Sequence, residues 1–309
     1  MHIITGSNNI VPTFGPCTVG IGVFDGVHLG HRALLSEVVA TATRENVRSC
    51  AYTFDPHPAH LINPTKKTLL IEPLEARLGH LMALGIDTTL VEPFSETFAA
   101  MSAQNFVHDI VVGKLKARHV FVGEGFTFGK QCQGTVEYLR AWGKGLGFVV
   151  HTTDLQQVEG MTVSSTAVRR KVAEGDMVVA AKLLGHPFAL EGLVVRGAGR
   201  GQRLGFATAN VATPNELLPA VGIYAAYATL QSGRYPAVVN VGYSPTFSVG
   251  TLRVEAHLLT YPGGNLYSTS MGLEFVLRLR DEKHFSSAQE LCEQMRYDVA
   301  AAREVLKVP

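Results

Sequence analysis

The sequence predicts an α/β fold, a Rossmann-like domain with a parallel sheet, followed by a small antiparallel β-barrel with a C-terminal helix. As far as Gly185, short apolar, β-rich runs alternate with longer helical patterns, which is typical of a parallel sheet covered by helices. After Gly185, five or six strand-like runs are separated by Gly, Pro, Ser and Asn, and a helical period returns only near Ser287. A length of 309 residues fits two domains, which we predict at 1–185 and 186–309.

The elements of the first domain follow in chain order from their patterns. Strands are predicted at 17–24, 47–54, 86–93, 117–123 and 146–153. Helices are predicted at 29–44, 72–85, 102–115 and 137–144. Parallel sheets bind ligands at the carboxyl ends of their strands. We therefore expect a ligand-binding edge formed by residues 25–31, 55–58, 123–130 and 162–169.

The second domain is predicted from strand-like runs with tight turns. These runs are 188–197, 222–230, 234–243, 252–261 and 271–280, and a closing helix covers 287–306. Consecutive short strands of this kind favour a barrel with antiparallel neighbours.

Composition and charge exclude several classes of protein. Apolar residues make up 46% and charged residues 17%, which is enough apolar material for two cores. A net charge of +1 gives no bulk attraction to nucleic acid or anionic lipid. There is no secretory signal pattern or bilayer-spanning apolar run, and the four cysteines fit neither a disulfide framework nor a zinc spacing. We expect a cytoplasmic protein without nucleic-acid or membrane partners; nothing in the sequence indicates an oligomeric state.

The first candidate site is the histidine pair of "GVFDGVHLGH". His28 and His31 follow a strand, open a helix and share one helical face because they are three positions apart. A helix N-terminus favours phosphate, and two imidazoles there could donate hydrogen bonds to an α-phosphate as charge builds on it. A capping loop with two incidental histidines is an equally open interpretation. A metal pair is less favoured, because no nearby carboxylate or cysteine completes a ligand set.

A second helix start has similar chemistry in "TVSSTAVRR". Ser164 or Ser165 can cap this helix, and Ser165, Thr166 and Arg169 present hydroxyls and a guanidinium near its N-terminus. The alternative is an ordinary serine-capped helix with a surface arginine. Two such helix starts at one edge of a sheet favour a phosphate site.

The third candidate is a glycine-rich turn in the second domain. It contains Gly197, Gly199 and Gly201, but no helix follows it and no Gly-Lys-Ser/Thr closes it. A flexible turn is the simpler interpretation. Thr208 and Asn210 favour a site, because they occupy alternate positions of a β-rich run and face the same side.

The first domain resembles the nucleotidyltransferase superfamily, and in particular the FMN adenylyltransferase module of bacterial bifunctional riboflavin kinase/FAD synthetases. The shared motifs are "GVFDGVHLGH" (22–31), "TFDPHP" (53–58), "FVGEGFTFGK" (121–130) and "SSTAVRR" (164–170). The resemblance implies that His28 and His31 stabilise the ATP α-phosphate while FMN attacks it. It implies that the triphosphate or departing pyrophosphate is held by Ser164, Ser165, Thr166 and Arg169. It also implies a nucleotide pocket shaped by Phe24, Asp25, Gly26 and Gly30.

One departure affects the expected flavin pocket. Gly125 stands where the family usually has Asn or Asp, whose side chain is expected to hydrogen-bond the flavin or a neighbouring loop. Phe126 and Phe128 are candidates to stack on the isoalloxazine ring, and core packing explains them equally well.

The second domain resembles the riboflavin kinase domain of the same enzymes. The shared motifs are the glycine loop, "GIYAA" (222–226), "VVNVGYSPTF" (238–247), "VEAHLL" (254–259) and "LRDEKHFSSAQELCEQMRYD" (279–298). The resemblance implies that the glycine loop covers ATP phosphates, that Thr208 and Asn210 help hold Mg²⁺, and that Glu255 accepts the proton of the ribityl 5′-hydroxyl. If the glycine loop and the pair Thr208 and Asn210 were absent, Glu255 would be interpreted as an ordinary outward-facing strand carboxylate. The departures are Ala207 for proline, Ser244 for arginine or asparagine, and Ser268 for glycine.

These features predict an enzyme with small-molecule substrates. It would phosphorylate riboflavin to FMN and adenylylate FMN to FAD, using ATP and Mg²⁺. The alternatives are a riboflavin kinase whose adenylyltransferase domain is impaired or altered, which Gly125 suggests, and a non-catalytic flavin- or nucleotide-binding protein. Retention of the two histidines, Arg169 and Glu255 argues against a pure binding protein.

Overall fold

The computed structural model describes residues 1–65, 68–197, 205–243 and 252–308. Gly199, Gly201 and Ser244 lie outside these ranges. The chain divides into two compact units, Met1–Ser165 and Thr166–Pro309. The boundary at 185/186 stays a prediction about where the two activities are divided.

The first unit contains a six-stranded parallel sheet and short two-stranded ribbons. Its strands are β1 (His2–Thr5), β2 (Cys17–Ile21), β3 (Arg48–Phe54), β4 (Thr88–Glu92), β5 (Ala117–Gly123), β6 (Thr127–Phe128), β7 (Gly134–Thr135), β8 (Val149–Thr153), β9 (Gln157–Val158) and β10 (Met161–Thr162). Its helices are α1 (Leu29–Glu45), α2 (Pro58–Ile62), α3 (Leu74–Ala83), α4 (Glu96–Ala99), α5 (Ala103–Asn105) and α6 (Val136–Leu146). A π-helical segment, Phe106–Lys114, follows α5.

The sheet has the strand order β1-β4-β3-β2-β5-β8, and every neighbouring pair is parallel. The predicted Rossmann-like sheet is therefore confirmed. Strands β2 and β4 are buried along their whole length, which is why most of their residues are apolar or β-branched. The turn from β2 into α1 lies at the carboxyl end of the sheet.

One strand was not predicted, and one local prediction was wrong. The short edge strand β1 was not predicted, although it pairs with β4 from His2 to Thr5. The region 102–115 was predicted as one helix, but α5 gives way to the π-helical segment. Its wider turns place Phe106, Val107, Ile110 and Val111 in the core.

The second unit contains the predicted barrel, which is confirmed as closed and antiparallel. Its strands are β11 (Phe188–Val195), β12 (Ala209–Ala212), β13 (Gly222–Leu230), β14 (Gly233–Tyr243), β15 (Leu252–Leu258) and β16 (Ser270–Arg280), in the order β11-β12-β15-β14-β13-β16. Helix α7 (Ser165–Glu174) begins at the last residue of the first unit, and α8 (Met177–Leu184) and α9 (Ala288–Leu306) complete the set.

The C-terminal helix is fixed to the barrel by a buried ion pair. Arg280 at the end of β16 donates from Nε to Asp298 Oδ1 (2.7 Å) and from Nη2 to Asp298 Oδ2 (2.6 Å). A two-pronged pair of this kind fixes direction as well as distance. Helix α9 begins after the predicted position, with Ser287 as its N-cap.

Candidate active sites

The turn between β2 and α1 has an uncommon backbone. Phe24 has φ +55°, Gly26 has φ +80° and Val27 has φ +31°. Only glycine adopts such values without strain. The side chains of Phe24 and Val27 are almost completely buried, and this packing holds the turn in place.

His28 and His31 lie together at the N-terminus of α1, as predicted. His28 is the N-cap residue, and its Nδ1 accepts a hydrogen bond from the His31 backbone N–H (3.3 Å). The two rings stack with their centroids 3.6 Å apart and their planes 14° from parallel. A Cβ at Gly30 would lie 3.3 Å from the His28 ring, so a glycine there leaves room for the folded-back imidazole.

The geometry of His28 is compatible with both interpretations of the histidine pair, as a helix cap and as a hydrogen-bond donor to phosphate. Because Nδ1 of His28 accepts the capping bond, the proton of the neutral ring is on Nε2. His28 therefore caps the helix with one nitrogen and has a donor on the other.

The serine segment lies at the same turn. Ser165 Oγ donates to the backbone carbonyl of Asp25 (3.0 Å). The Asp25 carboxylate accepts from the backbone N–H groups of Ile71 (3.0 Å) and Glu72 (3.4 Å). Asp25 is 1% exposed, so it shapes the turn from within. The two predicted phosphate segments are thus joined through one residue.

The remaining residues of the serine segment lie at the start of α7. Ser164 immediately precedes the helix, and Thr166 is exposed while Arg169 is half-buried. Ser165 and Arg169 are four positions apart and share a helical face.

A buried arginine donates hydrogen bonds to backbone carbonyls next to the turn between β2 and α1. Arg77 on α3 is 0% exposed, and its Nη1 donates to the carbonyls of Val23 (2.8 Å) and Phe54 (3.1 Å). It also approaches Asp55, with 3.8 Å between Nη2 and Oδ1. Arg77 therefore ties the carboxyl ends of β2 and β3 together.

The two candidate flavin-stacking rings have different surroundings. Phe128 is 7% exposed and belongs to the core, where a Cβ on Gly134 would lie 2.7 Å from its ring. Phe126 is half-buried and stacks on Phe128, with 5.6 Å between centroids. Phe128 thus has the packing role, and Phe126 is the ring nearer the surface. A Cβ on Gly125 would meet no described atom within 4 Å.

In the barrel, three polar side chains stand side by side on the outer face. Asn210 on β12 pairs with Glu255 on β15, which pairs with Asn240 on β14. Their chain neighbours, such as Val239 and Ala256, are buried in the barrel. We call Asn210, Glu255 and Asn240 the polar row. Thr208 precedes β12 and is half-buried, and its facing the same side as Asn210 stays a prediction.

Gly197, at the start of the glycine loop, lies very close to the polar row. A Cβ on Gly197 would overlap the Asn210 side-chain amide, so this contact requires glycine. At the other end of the loop, His257 Nδ1 donates to the Ala207 carbonyl (2.8 Å). This bond restrains the chain where the family has proline. Ser268 has φ +64°, the left-handed conformation that suits the family's usual glycine.

Comparison with known families assigns both halves of the chain. The FAD synthetase model matches residues 12–167 and the riboflavin kinase model matches residues 184–306. The bifunctional riboflavin kinase/FMN adenylyltransferase of Escherichia coli (strain K12) is 36% identical over 98% of this chain and 97% of its own length. The chain belongs to the bifunctional riboflavin kinase/FMN adenylyltransferase family.

Other relatives cover the chain equally well. The bifunctional riboflavin kinase/FMN adenylyltransferase of Bacillus subtilis (strain 168) is 32% identical, over 96% of this chain and 95% of its own. A crystal structure described as a macrolide-efflux protein from Streptococcus pneumoniae has a TM-score of 0.88 at 26% identity, covering 98% of this chain and 99% of that one. In this member of the bifunctional family both catalytic domains are present, which supports the bifunctional prediction over its alternatives.

The described part of the chain has no helix that is long and apolar enough to cross a membrane. It also contains no group of three or more His, Cys, Asp or Glu side chains arranged for a metal ion.

Three residues of this family member were not singled out from its sequence. Arg77 lies in the segment 72–85, which is predicted only as a helix, and an arginine on a helix is ordinarily exposed. His257 and Asn240 belong to the shared motifs at 254–259 and 238–247. Their outward direction follows from the period-2 alternation of buried residues along β15 and β14.

Proposed function

We propose that this chain phosphorylates riboflavin to FMN and adenylylates FMN to FAD, with ATP as the donor in both reactions. The observation that carries the proposal is the presence, in one chain, of a strand-to-helix turn with two stacked histidines and a barrel with Glu255 in a polar row. We assign the adenylyltransferase to residues 1–185 and the kinase to 186–309.

The adenylyl transfer uses the turn between β2 and α1. A phosphate oxygen of FMN attacks the α-phosphorus of ATP, and the bond to the β-phosphate breaks. His28 donates from Nε2, and His31 beside it donates to the same α-phosphate as negative charge builds. The helix N-terminus favours the same charge. Ser164 and Ser165 hold the departing pyrophosphate, and Thr166 and Arg169 stay predicted partners of the pyrophosphate. Phe126 stacks on the isoalloxazine ring of the flavin.

The kinase reaction uses the polar row. Glu255 accepts the proton of the ribityl 5′-hydroxyl while the 5′-oxygen attacks the γ-phosphate of ATP in line, and ADP departs. We assign Gly197, Gly199 and Gly201 to the binding of the ATP phosphates, and Gly197 lies next to the Asn210 side chain.

The residues of the barrel fit a magnesium ion. Thr208 and Asn210 are two positions apart and each has a side-chain oxygen, and Mg²⁺ takes oxygen ligands while keeping several waters. When bound, Mg²⁺ neutralises charge on the phosphates. The substrates are small molecules, and we place the enzyme in the cytoplasm.

A product assay tests the proposal. Purified protein is given ATP and Mg²⁺ with riboflavin or FMN in separate reactions, and FMN and FAD are separated by chromatography. We expect FAD from both reactions, and loss of both products when EDTA replaces Mg²⁺. FMN from riboflavin without FAD from either would contradict the adenylyltransferase half, and no product from riboflavin would contradict the kinase half.

A further inference from the structure

Glu255 has two polar neighbours, and the proposed kinase reaction uses only one of them. Asn210 is its partner on one side and Asn240 its partner on the other. Val239 and Val241 are completely buried, so Asn240 points away from the barrel interior, as Glu255 does. Adjacent strands are about 4.8 Å apart, so both asparagines are immediate neighbours of Glu255.

The side-chain oxygen of Asn240 lacks a donor. Asn240 Oδ1 is shielded from solvent and has no hydrogen-bond partner among the described residues. A Cβ on Gly242 would lie 3.3 Å from this oxygen and 2.6 Å from Glu282 Oε1. Because Gly242 has no side chain, Glu282 Oε1 and Asn240 Oδ1 can both lie close to its backbone. A shielded carbonyl without a donor is unfavourable, and a ligand with hydroxyl groups would satisfy it.

We infer that Asn240 Oδ1 accepts a hydrogen bond from the ribityl 4′-hydroxyl of riboflavin, next to the reacting 5′-hydroxyl. The inference rests on the proposed kinase function. Phosphates lie on the Asn210 side of the polar row and the 5′-hydroxyl lies at Glu255. The rest of the alcohol then extends over Asn240, which becomes a binding residue that selects polyol substrates.

A comparison of two substrates tests this contact. kcat/KM for phosphorylation is measured with riboflavin and with 4′-deoxyriboflavin, on the wild-type protein and on Asn240→Ala. One neutral hydrogen bond corresponds to about a 3- to 10-fold effect. We expect the wild type to prefer riboflavin by that factor, and Asn240→Ala to use both substrates equally. Equal use by the wild type, or an undiminished preference in the variant, would overturn the inference.

Two further variants identify the functional atom. Asn240→Asp keeps an acceptor oxygen and should retain the preference, whereas loss of preference in this folded variant would assign the role to the amide nitrogen and overturn the inference. Thr229→Ala lies on β13, outside the polar row, and should retain both activity and preference. Circular dichroism and thermal unfolding establish that each variant is folded. Absence of riboflavin phosphorylation by the wild type would instead contradict the proposed function itself.

Discussion

His28 divides two tasks between the two nitrogens of one ring. Nδ1 satisfies a backbone N–H at the start of α1, while Nε2 has the proton proposed to face the α-phosphate. Gly30 makes this possible, because a larger residue would crowd the folded-back imidazole. The spacing His-x-Gly-His therefore reflects packing of the turn as well as chemistry.

Replacing His28 separates these tasks. Asparagine can still cap the helix but lacks Nε2, so in His28→Asn we expect FAD formation from FMN to fall about 100-fold or more with little change in thermal stability. His28→Ala should lose the same activity and also about 1 kcal/mol of stability. Both are measured by FAD production and denaturant unfolding, with FMN formation from riboflavin as the unaffected control. If His28→Asn formed FAD at the wild-type rate, His28 would have only a helix-capping role.

Gly125 is a position where a side chain can be restored. A Cβ there meets no described atom within 4 Å, so the unfolding free energy of Gly125→Asn should change by less than about 1 kcal/mol. An added amide that reaches the flavin should lower KM for FMN about 3- to 10-fold in adenylyl transfer. Gly125→Ala adds only the Cβ and should leave KM unchanged. An equal KM for both variants would show that the amide does not reach the flavin.

At the scale of elements, close backbone approach organises the kinase site. The start of β12 is held between Gly197, which packs on Asn210, and His257 on β15, which holds the Ala207 carbonyl. The hydrogen bond from His257 thus restrains the glycine loop at Ala207, where the family has proline.

Gly197→Ala tests the close approach. The added methyl overlaps the Asn210 amide, and displacing it should lower kcat/KM for riboflavin phosphorylation about 10-fold or more. FAD formation from FMN uses the other domain and should be unchanged. A variant with normal kinase kinetics would show that Asn210 can move without cost.

The pairing of β5 with β8 carries a pH-dependent contact. His119 Nδ1 and His151 Nε2 are 3.0 Å apart, which requires one nitrogen to donate and the other to accept. Burial, followed by the positive charges of His119 and Arg44, lowers the pKa of His151, against an opposing effect of Glu37.

Because the folded-state pKa of His151 is lowered, the unfolded chain binds a proton first as the pH falls below about 6.5. Stability from this group is complete above that pH and is lost as the pH falls through the folded-state pKa. We expect the urea midpoint to fall between pH 7.5 and 5.5, and to fall less in His151→Gln. Equal slopes in the two proteins would contradict this role.

Local pattern predicted most elements and failed where distant residues decide the structure. Strand β13 and the start of α1 were predicted at their observed residues, because turn residues bound them. Strand β1 has only Ile4 buried, and its existence depends on pairing with β4, more than eighty residues away. The spacing of His28 and His31 predicted that the two side chains lie together. The burial of Arg77, in contrast, depends on carbonyls at the ends of two strands.

At the scale of the whole molecule, each compact unit contains the proposed catalytic residues of one reaction. His28 and His31 belong to the first unit and Glu255 to the second. Each activity should therefore be removable by itself.

A mixing experiment tests this separation. His31→Ala should make FMN but no FAD, and Glu255→Gln should make FAD from FMN but no FMN from riboflavin. An equimolar mixture given riboflavin should form FAD after a lag, because FMN diffuses from one protein to the other. If the mixture makes no FAD although each variant retains its remaining activity, FMN does not leave the protein that makes it.

The alternation of buried and outward residues along β15 limits how this barrel can change over evolution. Val254 and Ala256 fill the interior, and Glu255 between them faces out. Exchanging one apolar residue for another inside the barrel leaves that direction intact. Deleting a single residue within the strand would turn the carboxylate inward and two apolar groups outward. Descendants of this gene can therefore accept many substitutions here but scarcely any change in strand length.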